Sequence, residues 1–278
     1  MAGTLYLVPT PIGNLNDISP RCARTLAEAD FIAAEDTRGR VQLLNHLEVD
    51  TSFVCCHEIY QAESGGKILA RLLAGETCAL VTDAGSPAIS DPGEDLVRLC
   101  AENGVTVCAI PGPCALVTAL SISGLPTGRF TFEGFLSVNK KSRQEHLTGL
   151  KDETRTMIFY EAPHKLLATL RDLADAFGED RKISLCRELT KLHEEVVRTT
   201  LGEAVARYTE NPPRGEFVVV VEGAQEAPVE DLSIEAGAKL VRAEIEKGLS
   251  KKDAVKLVAK QTGLPRNALY EAALQDEA

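Results

Sequence analysis

Charged side chains that could move a proton or stabilise a negative charge follow several predicted strands. Asp36 and Arg38 come after the second strand, and Glu188 and Lys191 follow a strand in the second half of the chain. Asp36 or Glu188 could accept a proton, and Arg38 or Lys191 could hold a phosphate or a developing oxyanion. The same residues also fit an N-cap followed by a surface arginine, and a surface ion pair. The sequence leaves both interpretations open.

Three predicted strands end in turns that are rich in glycine and proline. Residues 83–93 follow one strand, residues 9–14 follow the first strand, and residues 111–115 follow a third. In open α/β sheets, ligands bind outside the carboxyl ends of the strands, and glycine lets a ligand approach the backbone closely. Any one of these turns could be purely structural. Together they predict one shared crevice.

The motifs that mark several common chemistries are missing. The sequence has no GxGxxG after its first strand, no P-loop motif, no GxSxG and no HExxH. Nicotinamide-dependent redox chemistry, P-loop phosphoryl transfer, serine hydrolysis and zinc proteolysis therefore lack their usual markers. A cofactor without a pyrophosphate would explain turns that lack these fingerprints, and S-adenosylmethionine is one adenosine-bearing candidate.

Length and composition are typical of a globular protein with a sizeable core. The chain has 278 residues, of which 44% are hydrophobic, and no apolar run approaches the roughly 20 residues that span a bilayer. The sequence begins with a strand pattern rather than a secretory signal, so we expect a cytoplasmic protein. Most of the eight cysteines fall within predicted strands or helices. We therefore expect buried, reduced thiols and no metal site.

The net charge of −11 argues against a protein that coats nucleic acid with its whole surface. The charge is uneven, however. From Lys247 to Arg266 the chain carries six basic side chains and one acidic side chain, Asp253. A basic helical tail on an acidic body could bind nucleic acid, and it could equally be a solvated helix face.

Hydrophobic periodicity divides the chain into three predicted regions. In residues 1–125, strands alternate with helices, one of which is predicted at residues 67–73, and this pattern predicts an α/β domain with a mostly parallel sheet. Residues 126–225 predict a second α/β domain with a mixed sheet and a basic loop around Lys140. Residues 232–278 predict a small helical domain that is similar to a helix-turn-helix unit.

Short motifs occur along the chain in the order found in a known family. They are VPTPIGNL (8–15), AEDTR (34–38), TDAGSP (82–87), PGPCA (111–115), EGFL (133–136), FYE (159–161), RELTK (187–191) and GE (215–216). Through them the chain closely resembles the ribosomal RNA methyltransferases of the tetrapyrrole methylase family over essentially its whole length. The resemblance implies two α/β domains with S-adenosylmethionine in the cleft between them, a C-terminal helical domain and a homodimer.

The resemblance also implies which residues contact the cofactor. They are Pro9, Asp83, Ala84, Gly85, Ser86, Ile89, Cys114, Ala115, Tyr160, Glu161, Leu189, Phe217 and Val218. Two departures from the corrin-methylating members point away from a tetrapyrrole substrate: Ser86 replaces an acidic residue, and residues 9–14 replace a glycine-rich loop. His57 is not part of the His-Asn-Glu triplet associated with many ribosomal RNA members, which weakens any role for it.

The implied reaction is methyl transfer from S-adenosylmethionine to the 2′-hydroxyl of a cytidine in the decoding region of 16S rRNA, with the small ribosomal subunit as partner. A ribose hydroxyl is a weak nucleophile, so the candidates for assisting it are Asp36, Arg38, Glu188 and Lys191. The candidates for binding RNA phosphates are Lys140, Lys141, Arg143, Lys251, Lys252 and Arg266. The alternatives are a tetrapyrrole-type small-molecule methyltransferase and a noncatalytic RNA-binding protein on the same fold.

Overall fold

The first half of the chain forms a five-stranded parallel sheet in the strand order β3-β2-β4-β1-β5. The computed structural model describes residues 2–34, 40–49, 51–55, 62–225 and 233–273. The strands are β1 (Thr4–Leu7), β2 (Phe31–Ala34), β3 (Phe53–Cys55), β4 (Cys78–Val81) and β5 (Thr106–Ala109), and the helices are α1 (Pro20–Glu28), α2 (Arg40–Leu47), α3 (Ala62–Leu73), α4 (Glu94–Glu102) and α5 (Ala115–Ser123). Strands β2 and β4 are buried at every position, as expected for a parallel sheet covered on both faces.

Helices cover both faces of this first sheet. On one face, Leu5, Phe31 and Leu80 belong to a core that also includes side chains of α3 and α4. On the other face, Ile32 and Val81 pack with side chains of α1. The predicted α/β class is therefore confirmed by the way these apolar strands are enclosed.

Helix α3 begins at Ala62, five residues before the start that the sequence predicted at Lys67. The prediction was wrong because Gly65 and Gly66 lie inside the helix, although glycine has a low helix propensity. A Cβ atom at Gly65 would lie 3.5 Å from Leu99 Cδ2. Packing against α4 therefore overrides the local preference.

Residues 130–221 form a second five-stranded sheet in the order β6-β7-β10-β8-β9. Its elements are β6 (Phe130–Phe135), α6 (Lys140–Gly149), β7 (Thr156–Glu161), α7 (Pro163–Phe177), β8 (Lys182–Arg187), β9 (Glu195–Thr200), α8 (Leu201–Glu210) and β10 (Phe217–Val221). Strands β6 and β7 are parallel and the other pairs are antiparallel, so the sheet is mixed as predicted. Leu116 and Leu120 of α5 pack on one face against Ile158 and Val220, which joins the two halves.

The basic segment around Lys140 is a helix and not the predicted loop. Asn139 caps the start of α6, because its side chain accepts a hydrogen bond from Ser142 N at 3.1 Å. Further along the same helix, Leu147 is buried in the core of the second sheet. The capping residue and this buried contact explain a helix whose sequence is otherwise mostly polar.

The chain divides into two compact units, Met1–Ala224 and Gln225–Ala278, and both sheets lie in the first. The second unit contains α9 (Ile234–Glu246), α10 (Lys251–Thr262) and α11 (Arg266–Ala272) around a core that includes Val241, Val258 and Leu269. Ser250 caps the start of α10, because its side chain accepts a hydrogen bond from Asp253 N at 3.2 Å. The domain limits 1–125, 126–225 and 232–278 stay a prediction.

Cysteine burial agrees with the sequence interpretation for the part of the chain that the structure describes. Cys22, Cys78, Cys100 and Cys186 are buried, Cys108 and Cys114 are half-buried, and all six are free thiols. In the same described ranges, no helix combines the length and apolar character needed to cross a bilayer.

Candidate active site

The loops after β1 and β4 are joined by backbone hydrogen bonds at the carboxyl edge of the first sheet. Thr10 N donates to Gly85 O at 2.9 Å, and Gly85 N donates to Thr10 O at 3.0 Å. The buried Thr10 hydroxyl donates to Thr82 O at 3.2 Å. Because β1 lies between β4 and β5, the three glycine- and proline-rich turns leave the sheet side by side.

The turn after β5 is packed tightly against both of these loops. A Cβ atom at Gly112 would lie 2.7 Å from Pro9 Cβ, closer than real side chains approach. The Ser86 hydroxyl donates to Pro113 O at 3.1 Å. Glycine at 112 is therefore required for the loops to meet, and Pro9 serves this contact between loops.

The loop between β4 and α4 has an unusual backbone. Ala88 and Ser90 have φ angles of 66° and 57°, and Gly93 has a φ of 130°. A Cβ atom at Gly93 would also lie 2.7 Å from Leu80 Cδ2. Non-glycine residues in the left-handed region cost on the order of 1–3 kcal/mol each, and such strain persists only when the surrounding structure fixes it. The loop is thus held in one specific shape.

Tyr160, at the end of β7, fixes the start of α5. Its hydroxyl oxygen accepts a hydrogen bond from Leu116 N at 3.0 Å, and its ring meets the rings of Phe132 and Phe135 edge-on, with centroids 4.9 and 5.6 Å away. Burial raises the pKa of Tyr160 far above its usual range. The phenol therefore stays neutral, which suits a positioning role rather than proton transfer.

A bulge in β6 places Phe135 beside this tyrosine. The pairing with β7 shifts register between Phe132 and Gly134, and Gly134 has a φ of 63°. A bulge bends its strand and re-aims the side chains that follow. Phe135 is 58% exposed, and because it lines the cavity described below, it offers an open aromatic face there.

Glu161 is a buried carboxylate at the same strand end. It is 5% exposed. Its Oε2 accepts a hydrogen bond from the Thr169 hydroxyl at 2.5 Å, and its Oε1 accepts one from Ala162 N at 2.9 Å. The two donors satisfy both oxygens, as a buried carboxylate requires. They also fix the carboxylate next to the first turn of α7.

Residues from both sheets enclose a cavity of about 400 Å³, a size typical of small-ligand sites. Twelve of the thirteen residues that the resemblance assigned to the cofactor line it, namely Asp83, Ala84, Gly85, Ser86, Ile89, Cys114, Ala115, Tyr160, Glu161, Leu189, Phe217 and Val218. Pro9 does not line it. Their role as cofactor contacts stays a prediction.

Sequence reasoning missed eight residues that line the cavity: Ile12, Ser90, Asp91, Phe135, Ala162, Pro163, Cys186 and Glu216. Three of them belong to the quoted motifs, since Ile12 lies in VPTPIGNL, Phe135 in EGFL and Glu216 in GE. The signal that could have found Asp91 is its place in the same glycine- and proline-rich turn as Asp83. Cys186 carried no comparable signal, because its position on β8 looks like ordinary core.

The charged side chains that line the cavity are acidic. Asp83, Asp91, Glu161 and Glu216 line it, and among the described residues no lysine, arginine or histidine does. A cleft lined by carboxylates concentrates cations and repels phosphates. Lys191 pairs with one of these carboxylates, Glu216, and the excess of acidic side chains favours a ligand with positive charge over nucleotides that carry phosphates.

Two helices begin at the cavity wall. Ala115 opens α5 and Pro163 opens α7, and both line the cavity. The N-cap residues Cys114 and Ala162 make no capping hydrogen bond through their side chains. Helix N-termini carry partial positive charge and unpaired amides, which bind carboxylates. Because Glu161 already lies beside the start of α7, the remaining N-terminal amides of α5 are the better place for a ligand carboxylate.

Glu188 and Lys191, predicted as catalytic candidates, form an ion pair beside the cavity. Lys191 Nζ lies 2.9 Å from Glu188 Oε1 and 2.8 Å from Glu216 Oε2. Glu216 N donates to Glu188 Oε1 at 2.9 Å. A Cβ atom at Gly215 would lie 2.5 Å from Glu188 Cγ. Glu188 is thus clamped by its neighbours, whereas Glu216 lines the cavity and is mostly exposed.

The surroundings make Glu188 a weak base. The Glu216 amide and then the Lys191 ammonium hold the pKa of Glu188 below its usual value. For Lys191, burial acts to lower the pKa, but hydrogen bonds to Glu216 and Glu188 outweigh it and raise the pKa. Both groups are therefore charged at neutral pH. The arrangement suits a fixed charge network better than proton abstraction by Glu188.

The other predicted residues are distributed over the molecule. Asp36, Arg38 and His57 lie outside the described residues. Lys140 and Lys141 are exposed on α6, whereas Arg143 is engaged, because its Nε lies 2.6 Å from Asp172 Oδ2. In the second unit, Lys252 and Arg266 are exposed, and Lys251 Nζ lies 5.9 Å from the centroid of the Tyr270 ring.

Comparisons with known proteins agree with this geometry. A family model described as Tetrapyrrole (Corrin/Porphyrin) Methylases matches residues 4–205, and one described as RsmI C-terminal HTH domain matches residues 233–277. Proteins from Synechocystis sp. and Pseudomonas aeruginosa, both named Ribosomal RNA small subunit methyltransferase I, are 48% and 47% identical. The alignment with the first covers 99% of each chain, and that with the second covers 99% of this chain and 98% of the other.

Solved structures with the same fold have lower sequence identity. A diphthine synthase matches with a TM-score of 0.61 and 14% identity, covering 81% of this chain and 92% of that one. Uroporphyrin-III C-methyltransferase from Thermus thermophilus, complexed with S-adenosylhomocysteine, matches with a TM-score of 0.55 and 18% identity, covering 78% of this chain and 97% of that one. At this identity the likeness supports the fold alone.

Proposed function

Because the chain belongs to the tetrapyrrole (corrin/porphyrin) methylase family, we propose that it is an S-adenosylmethionine-dependent methyltransferase acting on the RNA of the small ribosomal subunit. The near full-length relatives with that name support the substrate. The observation that carries the reaction type is the cavity of about 400 Å³ lined by four carboxylates and by no cationic side chain of the described ranges. A sulfonium-bearing donor suits such a cavity, whereas phosphorylated cofactors do not.

The residues that line the cavity fit each part of S-adenosylmethionine. Apolar walls at Ile89, Leu189 and Tyr160 would hold its adenine, and the N-terminus of α5 would hold its carboxylate. The carboxylates of the lining would favour its positive charge, with Asp83 and Asp91 on the same loop. When bound, the donor supplies an activated methyl group on a positively charged sulfur.

The protein's contribution would be to position the acceptor hydroxyl and to exclude water. Positioning of this kind supplies roughly 7–11 kcal/mol of the barrier reduction in well-oriented reactions. The rigid loop between β4 and α4 and the clamp around Glu188 would hold the reacting groups in place. Glu216 lines the cavity, and its pairing with Lys191 sets its direction, so it is placed to accept a hydrogen bond from the substrate.

We propose further that the acceptor is the 2′-hydroxyl of a cytidine in the decoding region of 16S rRNA. The resemblance to the ribosomal RNA members supports this choice, as do Ser86 and residues 9–14, which depart from the corrin-methylating members. On the same basis we propose that the protein acts as a homodimer in the cytoplasm. Size-exclusion chromatography with light scattering tests the dimer.

The proposal is tested by incubating the purified protein with radiolabelled S-adenosylmethionine and small ribosomal subunits that lack the modification. We expect label in 16S rRNA and a nuclease digest that yields 2′-O-methylcytidine. Label in an added uroporphyrinogen, and none in RNA, would favour the small-molecule alternative. A protein that binds RNA but shows no heat of binding with S-adenosylmethionine would be the noncatalytic alternative.

A further inference from the structure

A second cavity lies on the other face of the second sheet and carries the opposite charge. Its volume is about 440 Å³, and it is lined by Arg187, Glu195, Arg207, Tyr208, Asn211, Pro212, Pro213 and Arg214. We call it the arginine groove. Consecutive residues of a strand point to opposite faces of a sheet. On β8, Cys186 accordingly lines the candidate active-site cavity and Arg187 lines the arginine groove.

One carboxylate holds two of the three arginines of this groove in place. Arg187 Nε lies 3.1 Å from Glu195 Oε2, and Arg207 Nη2 lies 2.8 Å from Glu195 Oε1. Arg187 Nη1 also donates to Arg214 O at 3.3 Å. The Arg214 side chain is exposed and makes no hydrogen bond or ion pair with the described residues. Three guanidinium groups therefore share one counter-charge, which leaves donors available for an anion.

Tyr208 is buried beside the arginines of this groove. Its side chain is 6% exposed, and its hydroxyl is buried. The ring lies near Arg207, with the guanidinium carbon 5.7 Å from the ring centroid. The Arg207 side chain also interacts with the Tyr208 hydroxyl. Tyr208 therefore helps to position one guanidinium group of the groove.

We propose that the arginine groove binds the phosphodiester backbone of the RNA substrate. Guanidinium groups bind phosphate oxygens in pairs of parallel hydrogen bonds, and Pro212 and Pro213 give the groove a wall with few conformations. In a chain of net charge −11, RNA needs such local positive sites. This inference rests on the proposed function, since it assumes an RNA substrate, and it adds a place where that RNA is held.

The test compares RNA binding by single charge-reversal variants. The probe is a fluorescein-labelled RNA strand with the sequence of the small-subunit decoding region, titrated by fluorescence anisotropy at several salt concentrations. We expect Arg214→Glu to weaken binding about tenfold and to make the salt dependence shallower, by about 0.7 in the log–log slope for each lost phosphate contact. Arg24→Glu, which makes the same charge change at an exposed position of α1, should leave binding within about twofold.

Further measurements distinguish a failure of the groove proposal from a failure of the proposed function. If the double variant Arg207→Gln/Arg214→Glu binds RNA with wild-type affinity and salt slope, the proposal is wrong. If the variants lose binding of inorganic pyrophosphate but keep RNA binding, the groove is a site for small phosphates and the RNA assignment is overturned. Calorimetry with S-adenosylmethionine tests the proposed function separately. Absence of donor binding in the wild type contradicts that function, whereas wild-type donor binding by Arg214→Glu shows that the variant is folded.

Discussion

The candidate active-site cavity and the arginine groove flank the same strand, β8, yet their charges are opposite. The cavity is lined by four carboxylates and the groove by three arginines with one glutamate. Alternation along a strand separates the two, because neighbouring residues face opposite sides of the sheet. The difference shows how an acidic protein could attract a cationic methyl donor on one face and hold a polyanionic acceptor on the other.

The largest expected effect comes from filling the cavity. Ala115→Phe places a ring at the start of α5, where Ala115 lines the cavity. We expect affinity for S-adenosylmethionine to fall at least about 100-fold, equivalent to ~2.7 kcal/mol, because the donor and the ring cannot occupy the same space. Isothermal titration calorimetry measures the change.

The control for this variant lies on the same helix. Val117 is 52% exposed and does not line the cavity, so Val117→Phe should bind the donor normally. If Ala115→Phe also binds the donor normally while retaining a wild-type melting temperature, the cavity is not the donor site. The opposite charges of the cavity and the arginine groove would then not reflect donor and acceptor binding.

The sign of the cavity charge is tested at Ile89. This side chain lines the cavity and is 44% exposed, so a charged replacement can be accommodated without unfolding. Ile89→Lys should weaken donor binding about tenfold, because it adds the cation that the lining lacks. Ile89→Glu has a similar size, loses the same apolar contact and carries the opposite charge, so it should weaken donor binding less than Ile89→Lys does in low salt. Equal losses in both variants would mean that apolar contact, and not charge, governs binding.

The sequence predicted the positions of the three turns that meet at the cavity. Buried apolar strands and runs of glycine and proline are local signals, and they place strand ends well. Gly112 illustrates the limit of such signals. The sequence shows a glycine in a turn, but only the structure shows that a Cβ there would lie 2.7 Å from Pro9 Cβ.

The arginine groove could not be predicted from the sequence. Arg187 ends β8, Arg207 lies on α8, and Arg214 lies in the loop before β10. They meet because β8 pairs antiparallel with both β9 and β10, and α8 connects those two strands in the chain. Arg143 illustrates the reverse case. Its sequence context suggested a free cation, whereas the fold places Asp172 of α7 within 2.6 Å. Charge runs in a sequence do not reveal which charges the fold neutralises.

The ion pair between Glu188 and Lys191 should have a smaller, pH-dependent effect on stability. The pKa of Glu188 is held below its ordinary value of 4.5, so the carboxylate stabilises the fold above about pH 4.5 and loses this contribution as the pH falls through the lowered pKa. Glu188→Gln should cost about 0.5–1 kcal/mol of unfolding free energy near neutral pH, since the pair is partly exposed. The difference from the wild type should disappear in acid.

Urea unfolding at neutral and acidic pH measures this difference. Glu102→Gln, at an exposed position near the end of α4, is the matched control and should track the wild type at both pH values. A Glu188→Gln penalty that persists unchanged in acid would mean that packing next to Gly215, and not the ion pair with Lys191, accounts for the loss.

The smallest effect is expected on the lysines that the sequence singled out. Lys141 is highly exposed, and its Nζ lies 3.8 Å from Glu145 Oε1, so this ion pair is weak. Lys141→Glu should weaken binding of the labelled RNA by about twofold, because a single solvated charge near a phosphate contributes little. The arginine groove should contribute more, since Glu195 and the Arg214 carbonyl hold two of its guanidinium groups in place and the Arg214 side chain lies in the same groove. If Lys141→Glu weakens RNA binding more than Arg214→Glu does, α6 and not the groove is the main phosphate-binding surface, and the contrast between the two faces of β8 does not govern RNA binding.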